Sequence, residues 1–543
     1  MKEKKSSYLS GAAILAAGGI FAKLLGIFFK TPLSQIIGDY GLGLYGYAYP
    51  IYNAFLAISI AGLPVAVSKM IAERVSVGNY KGAYKVFRVA FFTLAALGLA
   101  GSLVMFFGAN AIIAACGWPS DAYYSVIALS FAPFFVAMVS ACRGFFQGMQ
   151  HMGYSSVSQI VDQVGRVGIG LAAAILLTRA FSSNTAGAAA IGLSQLLGKP
   201  IEASSNFGVS MGASGATFGA TAGAICSFLF LTISYRVFKT KQKQKLALQA
   251  VPNRESTAFI FRTLILLALP IAFSGLVNTI MELINSATIA TCLQRAGIAL
   301  EEATILFGQL EQKAQTLVNV PLVLGSALSA SLVPTISASY AKKERRKAVK
   351  KTSLAIRVAF LISLPCAVGL CVLAEPLIKL FFFKSDGYEM LMGLSFVAVF
   401  TIGMSSMQAI LQGAGHFYKP LKNLIVGALI KYLMNLLLIS NPLFGVYGAV
   451  ISSVFASAVI FVLNFYDVKR YIGMDPIGFS VIKTIFSAVV MGVFAHFCYG
   501  MLASFISYRI AVLATVALSA VVYFALVFFT RAFTRKDLEE VRG

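Results

Sequence analysis

Acidic residues are scarce in this chain: 20 Asp and Glu stand against 44 Lys and Arg in 543 residues. All charged residues together make up only 12%, where a soluble protein of this size carries about 25%. Such a chain has too little charge to be solvated by water alone and points to the bilayer as its main solvent. The longest stretch on the side opposite the basic loops, Ser182–Met211, holds one acid, Glu202. That is too few for the paired carboxylates of a membrane glycosyltransferase, so an enzyme is not expected. Cysteine is also sparse. The seven thiols are scattered and form no C-x-x-C, which argues against a disulfide framework or a thiolate metal site. The three His residues, at 151, 416 and 496, lie far apart. No metal or cofactor is expected.

What is abundant is long apolar sequence. Hydrophobic residues make up 58% of the chain. Fourteen runs stand out, the first from Ser10 to Phe29, the second from Tyr45 to Ser68 and the last from Ile510 to Phe529. Most reach the roughly 20 residues that cross a hydrocarbon core. They are apolar all round, without the strict alternation over ~10 residues that marks a barrel strand. Helix satisfies every backbone group within the segment. The expected fold is therefore all-α and integral to the membrane, with about fourteen transmembrane helices.

The net charge of +24 invites a nucleic-acid reading, but its distribution excludes one. With the N-terminus placed inside, the clusters Lys2–Lys5, Arg74–Arg88, Lys239–Arg262, Lys342–Lys351, Lys469–Arg470 and Arg531–Arg542 all fall on one side. That is the positive-inside pattern. It predicts a multi-pass protein of the cell's inner (plasma) membrane with both termini cytoplasmic, partnered by the bilayer and by no nucleic acid. The apolar start lacks a small-residue cleavage site and is interrupted by Lys23, so it reads as a span rather than a cleaved signal.

A repeat runs through the chain. Gln147-Gly148-Met149-Gln150-His151 precedes the fifth run and Gln412-Gly413-Ala414-Gly415-His416 the eleventh, with Arg166 and Lys431 each fifteen residues beyond the His. Leu63-Pro64 and Val333-Pro334 are each followed by a basic loop and then by Arg-Val-Ala-Phe, at Arg88 and Arg357. Two six-helix units in the same orientation are implied: a lobe over 1–238, a basic linker over 239–258, a second lobe over 259–470, and two further helices with a tail over 471–543. Parallel repeats of this kind are a transporter signature.

Charges within the runs are the candidate functional residues, because each is costly at mid-bilayer. Lys23 and Lys30, seven residues apart, share a helix face; Lys30 can equally snorkel to an interface. Asp162 and Arg166 are an i, i+4 pair, structural or functional. Glu311 and Lys313 share the eighth run. Glu282 lies mid-run in the seventh, with Asn278 and Asn285 on its face, and Lys431 and Asn435 share a face of the eleventh. Several bases with few acids suit a phosphate-bearing ligand better than a drug cation. Substrate candidates are thus Lys23, Lys30, Arg166 and Lys313. Coupling or gating candidates are Glu282, Lys431, Asn435, Asp162 and Glu311.

The segments Ala22-Lys23-Leu24-Leu25-Gly26, Lys30-Thr31-Pro32-Leu33, Gly38-Asp39-Tyr40-Gly41-Leu42-Gly43-Leu44-Tyr45, Ala48-Tyr49-Pro50-Ile51-Tyr52 and Gly62-Leu63-Pro64-Val65-Ala66-Val67-Ser68-Lys69 closely resemble the MurJ/MviN-like lipid II flippases. The nearest branch is the Gram-positive one that includes stage V sporulation protein B. The likeness continues through Asp162-Gln163-Val164-Gly165-Arg166 and Leu317-Val318-Asn319-Val320-Pro321. It implies the multidrug/oligosaccharidyl-lipid/polysaccharide exporter fold, with two pseudo-symmetric six-helix lobes around a central cavity plus two C-terminal helices. It implies alternating access without chemistry, no required oligomer, and a lipid-linked oligosaccharide on undecaprenyl diphosphate as substrate: the peptidoglycan precursor lipid II. Another undecaprenyl-linked polysaccharide unit, or a drug cation exchanged by an antiporter of the same fold, is the alternative. By resemblance Lys23 matches a cavity arginine of the family, Lys30 falls near a second, and Asp39 joins the substrate candidates. Two departures stand out. Nothing basic lies between Lys30 and Lys69, and Lys431 places a fixed cation where some members hold sodium.

Overall fold

A computed structural model describes residues 8–59, 63–182, 206–241, 255–341, 344–473 and 478–533. Among them the regular structure is helical. The helices are α1 (Tyr8–Ser59), α2 (Leu63–Ser76), α3 (Tyr80–Cys116), α4 (Ala122–Ser130), α5 (Ala132–Gly148), α6 (Met152–Ser182), α7 (Phe207–Lys241), α8 (Thr257–Arg295) and α9 (Leu300–Gly308). After a π turn at Gln309–Ala314 come α10 (Gln315–Ala341), α11 (Arg345–Val372), α12 (Ala374–Phe382), α13 (Tyr388–Gly413) and α14 (Tyr418–Met434). A second π turn at Asn435–Ile439 leads to α15 (Val446–Tyr471), α16 (Gly478–Phe505) and α17 (Tyr508–Phe529). Eleven helical stretches among the described residues are long and apolar enough to cross a membrane. The two arms of α1, together with α8, bring these to the fourteen apolar runs of the sequence.

α1 is one rod in two arms. Gly38 interrupts it with φ 63° and ψ −171°, a conformation cheap only for glycine. The second arm then packs glycine against backbone. A Cβ on Gly43 would lie 2.2 Å from the Thr304 carbonyl oxygen, and one on Gly308 would lie 2.4 Å from that of Asp39. Single-atom side chains at these places let α1 and α9 touch.

By packing, the chain divides into two compact units. The first comprises Met1–Thr291 and Leu300–Gly308, the second Cys292–Ala299 and Gln309–Gly543. In the first unit the tightest seam is between α6 and α7. A Cβ on Gly223 would lie 2.3 Å from the Asp162 carbonyl oxygen, and one on Gly219 would lie 2.6 Å from that of Arg166. Small residues at helix contacts are how membrane helices gain dispersion contact without a hydrophobic driving force. At the end of the unit that carries the basic loops, buried Arg74 donates from Nε and Nη2 to Glu255 Oε2 at 3.1 and 2.5 Å. Lys85 donates to the Glu255 carbonyl. Residue 255, which opens the approach to α8, is thereby clasped to α2 and α3.

In the second unit α16 and α17 pack on α11. The Tyr523 hydroxyl donates to the Leu361 carbonyl at 2.8 Å, and Arg357 Nε donates to Ser480 Oγ at 3.0 Å.

The repeat read from sequence is built as the same turn twice. After α5, the His151 N–H bonds the Phe146 carbonyl at 2.8 Å and the Gln150 N–H bonds that of Gln147 at 3.0 Å; after α13, His416 and Gly415 make the same bonds to Leu411 and Gln412 at the same distances. Both are Schellman closures, with Gln150 at φ 62° and Gly415 at φ 89°. Each His then rests on an aromatic ring at the end of its lobe's sixth helix: His151 on Phe238 at 4.9 Å and His416 on Tyr471 at 4.8 Å.

Candidate functional site

In the first unit the sequence pair Asp162 and Arg166 is a triad. Asp162 Oδ2 lies 3.5 Å from Arg143 Nη2 and Asp162 Oδ1 lies 3.9 Å from Arg166 Nη2, with all three side chains about four-fifths withdrawn from solvent. Arg143 comes from α5, and its Nε donates to Ser158 Oγ at 2.8 Å. Two guanidiniums therefore share one carboxylate inside a helix bundle. Beside them stand Tyr45, Tyr49 and Tyr52 on the second arm of α1. Their ring centroids are 4.7 and 6.0 Å apart in succession. Guanidiniums and phenolic hydroxyls are both able to donate hydrogen bonds to an anion.

Lys30 is half-buried on the first arm of α1, and Asp39 follows directly on the break at Gly38. Lys23 lies in the helical part of α1, but its side chain is outside the described residues, as is that of Asn278. Glu282 is exposed on α8 and accepts a hydrogen bond from Asn53 Nδ2 at 3.1 Å. The chain's single tryptophan braces the unit. Trp118 Nε1 donates to the Ser286 carbonyl at 2.7 Å, and its ring stacks on Tyr47, which stacks in turn on Phe307 at 4.2 Å.

In the second unit Lys313 is 1% exposed, inside the π turn that also holds half-buried Glu311. Its ammonium lies 6.0 Å from the Phe382 ring centroid. Lys431 is 6% exposed and comes four residues before Asn435, which opens the second π turn and is fully buried. Ser452 Oγ donates to Asn435 Oδ1. Both π turns thus coincide with residues singled out from sequence, in keeping with the tendency of such turns to mark functional sites. Among the described residues no three His, Cys, Asp or Glu side chains gather as metal ligands.

The profile of the polysaccharide biosynthesis protein family matches residues 8–340, more than half of the chain. The chain belongs to that family. A second profile, MatE, matches residues 312–437 of this polysaccharide biosynthesis protein. It is 24% identical to stage V sporulation protein B of Bacillus subtilis (strain 168) over 99% of this chain and 98% of the relative. It is 27% identical to the lipid II flippase MurJ of the same organism over 93% and 90%. Among solved structures it superposes on an inward-facing multidrug resistance MATE family transporter of the MOP superfamily with TM-score 0.62, at 18% identity over 83% of this chain and 95% of that one. It superposes on the inward closed conformation of lipid II flippase MurJ with TM-score 0.60, at 13% identity over 96% and 99%. The resemblance read from the first span and the membrane-helix fold it implied are both borne out.

Two features of this family member escaped the sequence. Arg143 lies just beyond the fourth run, outside the charges singled out there, and only packing carries it to Asp162. The buried trio Asn423, Asn464 and Asp467, joined by Asn423 Nδ2 at 2.9 and 2.7 Å, is spread over α14 and α15 with no spacing to announce it.

Proposed function

We propose that this polysaccharide biosynthesis protein is a flippase. It moves undecaprenyl-diphosphate-linked peptidoglycan precursor, lipid II, from the cytoplasmic to the outer leaflet of the plasma membrane by alternating access, without making or breaking a covalent bond. The observation that carries the reading is the chemistry of the buried charge. In the first unit two guanidiniums meet one carboxylate, and in the second two lysines are withdrawn into helices at π turns. A diphosphate is the ligand that such groups bind best. A drug cation would meet repulsion from the same side chains. The name of one Bacillus relative, lipid II flippase MurJ, points the same way. A second substrate, another undecaprenyl-linked glycan, is favoured by the match to the polysaccharide biosynthesis protein family over residues 8–340.

The test is translocation of fluorescent lipid II by the purified protein in proteoliposomes, with and without ion gradients and membrane potential, and with unlabelled undecaprenyl-linked glycans as competitors. Lys23→Ala is expected to abolish transport with the protein still inserted, because its own helix offers no acid one turn away: positions 19 and 27 are Gly and Ile. Lys23→Arg should retain transport, since a guanidinium also holds phosphate. Normal flipping by Lys23→Ala would refute the basic-site mechanism.

A further inference from the structure

A second basic feature lies in the first unit and shares no residue with the Arg143–Asp162–Arg166 triad. A groove of about 470 Å³ opens between the start of α3 and the end of α7. Lys81, Lys85 and Arg88 line it from α3 and Lys239 from α7. Positions 81, 85 and 88 follow the i, i+4, i+7 spacing, so the three cations share one helix face. Among the described residues that line it none is acidic. The acid next to this region, Glu255, has its carboxylate engaged by Arg74.

Among the cations the groove is also aromatic. Tyr84 and Tyr235 also line it, their ring centroids 6.1 Å apart. The Tyr84 hydroxyl itself is buried without a hydrogen-bond partner among the described residues. Phe87 and Phe91 follow, and Phe91 faces Phe228 of α7 at 6.4 Å. From Lys81 to Phe91 is ten residues, about 15 Å along a helix. The groove interleaves cations and rings along α3, in the order Lys81, Tyr84, Lys85, Phe87, Arg88 and Phe91, while on α7 Tyr235 lies one turn before Lys239. The groove begins where α3 is still polar, at Tyr80–Arg88, and ends where its apolar run has started. Basic pockets between transmembrane helices near an interface are suited to lipid headgroups, and Tyr is at home at that depth.

We propose that this groove binds the phosphodiester headgroup of an anionic membrane phospholipid. The cations hold the phosphate, and the upper acyl chain lies along Phe87 and Phe91. The lipid is a resident ligand on the outside of α3 and α7, so the inference stands whether or not lipid II is the cargo.

The test uses the full-length protein, delipidated in detergent and titrated with phosphatidylglycerol or with phosphatidylcholine of the same chains, bound lipid being counted by native mass spectrometry. The wild type should prefer phosphatidylglycerol. Lys81→Gln/Arg88→Gln/Lys239→Gln should lose that preference by about tenfold or more, since basic residues at such a surface each add to anionic-lipid attraction. Arg345→Gln/Arg346→Gln/Lys350→Gln removes the same charge from exposed sites of the second unit and should keep the preference. Lys85 is left intact because it supports the Glu255 carbonyl. Should the triple variant fail to fold, Arg88→Gln alone removes one cation and should weaken phosphatidylglycerol more than phosphatidylcholine. Equal loss in both triple variants, no loss in the groove variants, or displacement of the lipid by millimolar inorganic phosphate would each overturn the assignment.

Discussion

Asp162 is the residue on which most of the buried charge in the first unit depends. Arg143 and Arg166 approach it from α5 and from its own helix, so its removal leaves two guanidiniums facing each other away from water. Deleting one partner of a buried ion pair costs about 3–5 kcal/mol, and partial exposure of this triad places the expected loss near the lower end. Asp162→Ala should therefore lower the thermal unfolding midpoint in detergent markedly. Asp162→Asn combined with Arg143→Gln, which removes the carboxylate and one guanidinium together, should restore most of it. A melting curve for Asp162→Ala that overlays the wild type would mean that the tyrosines carry the arginines unaided. The pair at 162 and 166 was legible because i, i+4 spacing is a local rule. Arg143 was not, since nineteen residues and a turn separate it from Asp162 and no local rule spans that distance.

At the scale of helices, close approach is set by glycine. The α6–α7 seam has no room at position 223, where a Cβ would collide with the Asp162 carbonyl, but ample room at Gly168 on the exposed side of α6, where nothing lies within 4 Å. Gly223→Ala should cost about 1–3 kcal/mol through overpacking, whereas Gly168→Ala should be neutral or slightly stabilising through helix propensity. Equal melting temperatures for the two variants would contradict the seam. Hydrophobic runs made the spans readable, and the repeated Gln-Gly-x-x-His made the internal repeat readable, whereas the Schellman turns it builds came only with the structure. The long reach of α1 was less readable. Pro32, Gly38, Gly41 and Gly43 look like loop residues, yet all but Gly38 sit in helix, the last because α9 must touch it. Glycine chosen for contact and glycine chosen for a turn are identical in a sequence. The π turns were equally hidden, since an extra backbone residue in a helical turn leaves no compositional trace.

For the whole molecule, the charge asymmetry sets an orientation that can be measured. In a cysteine-free background, Lys350→Cys should react with a membrane-impermeant maleimide only from the cytoplasm and Ser194→Cys only from outside, because Lys and Arg near span ends decide which loops stay in. Labelling of both from one face would reject the fourteen-span arrangement. The clasp at Glu255 bears on a different property, the path of mechanical load. Lys241 at the end of α7 and Glu255, which Arg74 and Lys85 hold, both belong to the first unit, so a load between the units has no covalent path there. The covalent strands that do bear it are those at 291–292, 299–300 and 308–309, where the chain passes from one unit to the other. The last of these runs straight into the π turn around Lys313. A pull between the units thus falls on the least regular turn of that helix and on the buried cation inside it.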